Sequence, residues 1–255
     1  RALDFIAQLP EVDFQQAVSI GLTKRGIAHE LEKEFHVLYR GTRVGRYFCD
    51  LWVEDKVVVE LKVAPEITNR HRMQTLSYLR VTGADVGLLA NFGPEVQIER
   101  YAHFYARRRP DFRWQARPPA DSDLLYPELV GRLYECLHRV HYELGPGFWH
   151  NVYRRAVQAE LNERNIQVSF VREIPVYYEG QYLSSKECRL LIVEDGVIVA
   201  AFAVRQMTDA FETRMRRYLA YFDKKLGLMA NFHGERLDIR PVRVGEETTE
   251  NRNTR

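Results

Sequence analysis

Asp50, Glu60 and Lys62 are side chains whose types and spacing could do chemistry. They flank Glu54-Asp55-Lys56, which reads as a three-residue hairpin loop between two apolar runs. In that register Val53 pairs with Val57, and Asp50 lies opposite Glu60 with β-carbons about 4.5–5.5 Å apart. Two carboxylates that close repel unless a cation sits between them. Strand alternation puts Lys62 on the same face, together with Trp52 and Val58. Leu51, Val53, Val57, Val59, Leu61 and Val63 point to the other face, which is expected to be core. An Asp–Glu pair suits a hard divalent cation with oxygen ligands, Mg²⁺ or Mn²⁺. Such an ion acidifies a bound water and neutralises charge on a phosphoryl oxygen. An ammonium two residues beyond the glutamate could orient that water or stabilise developing negative charge. The competing reading is a solvated strand face carrying an exposed ion pair. Trp52 and Val58 on the charged face argue against a plain exterior surface.

The elements that must position these residues occur twice. Glu54 to Lys62 is echoed by Glu194-Asp195-Gly196-Val197-Ile198-Val199-Ala200-Ala201-Phe202, which keeps the apolar frame and loses the glutamate and lysine. Tyr39-Arg40-Gly41 matches Tyr178-Glu179-Gly180, and Gly87 with Leu88 to Phe92 matches Gly227 with Leu228 to Phe232. Thr68 matches Thr208, Tyr78 matches Tyr218, and the helical stretch Phe14 to Ile27 matches Tyr153 to Ile166. Matches in one order with near-constant spacing mark two copies of one domain. The boundaries read as 1–105 for the first copy, 106–123 for a basic, proline-bearing linker, 124–244 for the second copy and 245–255 for a disordered tail. The second copy opens with an amphipathic helix over Pro127 to Leu144, apolar at Leu129, Leu133, Cys136, Leu137 and Val140. The first copy has no full equivalent ahead of Leu3-Asp4-Phe5, and the chain opens on Arg1 instead of methionine.

Each copy reads as helix, strand, hairpin, helix, strand. In the first, these are a helix over about Val12 to Lys24, strands near Phe35–Tyr39, Tyr47–Val53 and Val57–Val63, a helix over Asn69–Thr82 capped by Thr68, and a strand at Val86–Ala90. The fold class is α/β with a mixed sheet flanked by helices, duplicated in tandem. A net charge of +2 excludes a global field for nucleic acid, so contacts must come from local basic patches. Arg107, Arg108, Arg109, Arg113 and Arg117 interleave with Trp114 and other aromatics, a mixture suited to phosphates and stacked bases or to a solubilising surface. Three scattered cysteines make neither a disulfide framework nor a zinc site, which fits a reducing cytoplasm. No apolar run is long enough to span a membrane.

Asp50, then Glu60-Leu61-Lys62, then Gln74 with Tyr78 four residues on, resembles the PD-(D/E)XK nuclease superfamily, within it most of all the GxxExxY family. Glu11 to Phe14 falls where that family's ExxY belongs, with Gln8 for the glycine and Phe14 for the tyrosine. Gly147 to Tyr153 keeps glycine and tyrosine but has His150 for the glutamate. The resemblance implies a restriction-endonuclease-like fold. It implies Asp50, Glu60, Glu11 and the Leu61 carbonyl as metal ligands and Lys62 as the catalytic lysine. Gln74 and Tyr78 would support the site or touch the nucleic-acid backbone, with helix packing as the alternative for both. The expected activity is Mg²⁺- or Mn²⁺-dependent hydrolysis of DNA, ahead of RNA, in the first copy only. The second copy, with Leu190, Ala200, Phe202 and Arg214 at the positions of Asp50, Glu60, Lys62 and Gln74, would be a pseudo-nuclease. It could pair with the first as an intramolecular pseudo-dimer or join a larger assembly. The alternative is a non-catalytic scaffold for nucleic acid or protein.

Overall fold

The computed structural model of the chain describes residues 9–102, 112–114 and 125–244. The chain divides into two units, Arg1–Asp111 with Gly147–Val152, and Phe112–Pro146 with Tyr153–Arg255.

The first unit runs α1 (Glu11–Thr23), β1 (His29–Tyr39), β2 (Thr42–Val53), β3 (Val57–Lys62), α2 (Asn69–Thr82), β4 (Val86–Phe92) and β5 (Val96–Ala102). Its sheet keeps the sequence order of the strands. β3 and β4 are parallel and the other neighbours antiparallel. A parallel pair needs a crossover, and α2 supplies it. Thr68 caps α2 as expected, in a reciprocal capping box with His71, and Gly83 ends it in the left-handed conformation at φ 68. Gly87 lets α2 approach β4 closely, since a β-carbon there would meet Leu79 and Thr75 at 3.1 Å.

The hairpin between β2 and β3 has Glu54 and Asp55 both at positive φ, and Lys56 N–H closes it onto the Val53 carbonyl at 3.1 Å. Glu194 and Asp195 take the same conformation, so this dipeptide recurs for its turn. Val53 pairs with Val57 as expected, but the ladder stops at Leu51–Val59 and Asp50 is not a paired partner of Glu60. Leu51, Val53, Leu61 and Ala90 form the core on one face, with Val18 and Leu22 of α1 packed on them. Each Leu or Val side chain so buried contributes about 1.5–3 kcal/mol. The opposite face is covered too: Trp52, Val58 and Glu60 are all buried. The solvated-face alternative is thereby ruled out for Glu60.

The second unit runs α3 (Pro127–Leu144), α4 (His150–Glu163, from Tyr153 onward), β6 (Val168–Tyr178), β7 (Gln181–Val193), β8 (Val197–Phe202), α5 (Asp209–Tyr221), β9 (Leu226–Asn231) and β10 (Asp238–Arg243). The expected apolar stripe of α3 is buried throughout. The sheet repeats the first, with order β10-β9-β8-β7-β6 and a parallel β8–β9 pair. The β7–β8 register, Val193–Val197 to Leu191–Val199, is that of β2–β3. This is a duplicated restriction-endonuclease-like α/β fold. Each sheet has a fifth strand, β5 or β10, that was not expected, and the first hairpin is longer than expected at both strands. Among the described residues no helix is long and apolar enough to cross a membrane.

Candidate active site

Glu11, Asp50, Glu60 and Lys62 come together at the carboxyl end of β3. Glu11 opens α1, Asp50 sits late in β2, and Glu60 and Lys62 end β3. Beyond the end of the antiparallel ladder, the Asp50 carboxylate takes over as acceptor, and Leu61 N–H donates to its Oδ2 at 2.6 Å. The Asp50 carbonyl accepts from Gln15 Nε2 on α1 at 2.9 Å.

Lys62 is the hub. Its Nζ donates to the Leu61 carbonyl at 2.7 Å and to Glu11 Oε1 at 3.2 Å, and stands 2.7 Å from Glu60 Oε1. The ammonium therefore sits among Glu11, Glu60 and the Leu61 carbonyl, three of the four groups expected to bind a metal. Among the described residues no three His, Cys, Asp or Glu side chains stand close enough together to hold a metal ion. The carboxylates converge on the ammonium instead of on one another, as like charges must when a single cation is shared.

Three acids share one lysine in a largely buried site, so ionising all of them is unfavourable. Burial, followed by the nearby Asp50 charge, pushes the Glu60 carboxyl up to about 8. Asp50 is raised as well, by burial, against the opposing Leu61 N–H and Lys62. Burial alone would lower Lys62, but the attraction of Glu60, Asp50 and Glu11 outweighs it and holds the ammonium protonated. Burial and then the Lys62 charge lower His71. Both Glu60 oxygens are buried; Oε1 has only the Lys62 ammonium beside it at 2.7 Å, and Oε2 has no hydrogen-bond partner. A buried Glu60 oxygen without a donor, with the Glu11 and Asp50 carboxyls and the Leu61 carbonyl nearby, is a donor set a hard divalent cation fits.

Gln74 and Tyr78 share a face of α2, and Gln74 Nε2 donates to the Tyr78 hydroxyl at 3.2 Å. That hydroxyl in turn donates to the Phe48 carbonyl on β2, and Tyr78 is buried. Tyr78 thereby ties α2 to β2, a contact of the kind the packing alternative expects. Phe14, the residue in place of the motif tyrosine, stacks on Phe92 with centroids 4.8 Å apart. In the second unit Tyr153 stacks on Phe232 at 4.5 Å, so this aromatic pair belongs to the fold in both copies. Leu190, Ala200 and Phe202 lie in the apolar core of the second unit or against it. Of the linker residues, Arg113 is exposed, and the Trp114 ring lies against His138 with centroids 5.1 Å apart. Arg107, Arg108, Arg109 and Arg117 lie outside the described residues, as do Gln8 and the tail.

Two positioning residues escaped the sequence reading. Gln15 anchors Asp50, as described. Asn91, fully buried on β4, clamps the chain just after Lys62, accepting from Ala64 N–H and donating to the Ala64 carbonyl, both at 2.9 Å. Asn231 clamps Val204 the same way at 3.1 and 2.8 Å. The signal was present, because the asparagine stands in both copies of the repeat.

A family model for the PD-(D/E)XK nuclease superfamily matches residues 7–101 and again residues 127–242. No curated protein matches the chain. Among solved structures, the crystal structure of SSO0001 is 18% identical with a TM-score of 0.28, over 35% of this chain and 48% of that one. The chain thus spans about half the length of that structure, an overlap too slight to define a shared fold.

Proposed function

Because the chain belongs to the PD-(D/E)XK nuclease superfamily, we propose that it is a metal-dependent nuclease whose working site is the Glu11, Asp50, Glu60 and Lys62 cluster of the first unit. The observation that carries this reading is the Lys62 ammonium held among Glu11, Glu60 and the Leu61 carbonyl, beside a buried Glu60 Oε2 that no donor satisfies. Asp50, Glu60, Glu11 and the Leu61 carbonyl would hold Mg²⁺ or Mn²⁺, which when bound supplies charge neutralisation and an acidified water.

The chain's own groups do the rest. Lys62 carries a positive charge in a largely buried site, where it stabilises negative charge developing on a phosphoryl oxygen. Glu60 stands 2.7 Å from Lys62, which fixes its carboxyl beside the ammonium. Asp50 is fixed at both ends, its carboxylate by Leu61 N–H and its carbonyl by Gln15, so it holds its place as charge builds. Asn91 fixes the backbone beyond Lys62. The substrate is a nucleic-acid phosphodiester, DNA ahead of RNA, in the cytoplasm. The second unit, with Leu190, Ala200 and Phe202 at the three central positions, is non-catalytic.

The test is incubation of the full chain with linear, circular and single-stranded DNA and with RNA, each with Mg²⁺, Mn²⁺ or EDTA. Cleavage that needs the cation and disappears in Glu60→Ala supports the reading. Cleavage that survives Glu60→Ala sinks it, and so does nucleic-acid binding without cleavage of any substrate.

A further inference from the structure

The second unit, with Leu190 and Ala200 where the first has Asp50 and Glu60, carries cations where the first has neutral side chains. A groove of about 480 Å³ lies between α5 and the β6–β7 ribbon, lined by Lys186, Arg214, Arg217, Tyr218 and Tyr221 among others. Lys186 pairs with Ile174 as Tyr47 pairs with Phe35 in the first unit. By the same repeat Arg214 stands at the Gln74 position and Arg217 at the Ser77 position. Three neutral residues have therefore become three cations around one groove.

The first-unit groove is filled by its own chain. There Ser77 Oγ donates to the Gly147 carbonyl and Tyr47 lies edge-on to Phe148 at 6.0 Å, all four residues being part of that unit. In the second unit, Lys186, Arg214 and Arg217 are exposed, and among the described residues none of them pairs with a carboxylate. Two carboxylates of the ribbon are already engaged, Glu173 by Ser185 and Glu187 by Arg189. Tyr221 is 54% exposed, with its ring held edge-on against Phe222 at 4.9 Å. Uncompensated cations beside an oriented, open aromatic ring match what a single strand offers, regular phosphates and unstacked bases.

We propose that this groove of the second unit binds a single-stranded nucleic acid, with Lys186, Arg214 and Arg217 on phosphates and Tyr221 under a base. The inference rests on the nuclease reading for its class of ligand. It gives the unit that lacks the acidic cluster a task, which is to hold the strand that the first unit cuts.

The test is fluorescence anisotropy of the full chain with a labelled oligodeoxythymidine in EDTA, where binding is read without cleavage. Wild type should bind, and the triple variant Lys186→Ala/Arg214→Ala/Arg217→Ala should bind at least about tenfold more weakly. Its slope of log affinity against log salt should fall by about two, at about 0.7 per lost phosphate contact. Tyr221→Ala should weaken binding about fivefold or more with the slope unchanged. All substitutions are on the surface, and unchanged thermal unfolding of the variants certifies their fold. A triple variant with wild-type affinity and slope overturns the proposal. A triple variant that loses self-association, by gel filtration, while its oligonucleotide affinity is unchanged also overturns it, in favour of a protein-binding groove. Loss of binding in the triple variant of a chain that proves unable to cut supports the groove and refutes only the nuclease reading.

Discussion

Replacing Glu60 by glutamine should stabilise the protein at alkaline pH and abolish its thermodynamic response to divalent cations. Glu60 is fully buried, and burial together with Asp50 raises its carboxyl from the ordinary 4.5 to about 8. The folded state therefore keeps a proton over that interval which the unfolded chain has released. The group's contribution is fully present below the unfolded value and is lost as pH rises towards about 8, where it levels off. At about 1.4 kcal/mol per pH unit, the loss is on the order of 5 kcal/mol. Asp50, raised in the same direction, steepens the acid end of the same trend. Lys62, also raised, acts only at the alkaline limit, where its loss of a proton removes the remaining attraction. Glutamine keeps the shape and cannot ionise, so the variant should show little of this slope. Urea unfolding followed by circular dichroism measures it, at about pH 5 and about pH 8, with and without Mn²⁺. At the higher pH without metal the variant should exceed wild type by several kcal/mol. Mn²⁺ should stabilise wild type there and leave the variant unchanged, because the ion needs the ionised carboxylate. A variant less stable than wild type at the higher pH would refute the reasoning. It would mean that the Lys62 ion pair outweighs the burial of Glu60 and that no surplus charge awaits a cation.

Two further outcomes follow from the positioning residues. Asn91→Ala removes both bonds to the half-buried Ala64 backbone, which should cost about 1–3 kcal/mol in urea unfolding. Tyr78→Phe removes only the hydroxyl that reaches the Phe48 carbonyl, so stability should fall by about 1–3 kcal/mol while cleavage persists. A total loss of cleavage in a folded Tyr78→Phe protein would instead place that hydroxyl in the chemistry.

The sequence made much of this site readable because strand alternation is strict. The turn dipeptide set the register from Val53–Val57 onward, and with it the shared face of Glu60 and Lys62. The same alternation could not show that the ladder ends before Asp50, because that depends on a side chain capturing Leu61 N–H. Glu11 was placed only by its resemblance to a motif, since nothing local ties a helix start to a strand so far along the chain. β5 went unseen because Val96 to Ala102 is largely exposed at a sheet edge, and its alternation lasts only from Val96 to Glu99 before Arg100 breaks it. The first half of β1 was hidden similarly, its charged residues leaving Leu31 isolated ahead of Phe35. Gln15 and Asn91 carry amides, which have no periodic signature. Asn91 was legible solely through its echo at Asn231, and that echo marks it as a residue of the fold and not of the chemistry.

The central claim is that the first unit alone cuts, through charges gathered on Lys62. The direct measurement is the cleavage rate of the full chain on labelled DNA with Mn²⁺, comparing wild type with Lys62→Ala. The account predicts cation-dependent cleavage by wild type and none by the folded variant. Cleavage by Lys62→Ala at the wild-type rate would contradict it.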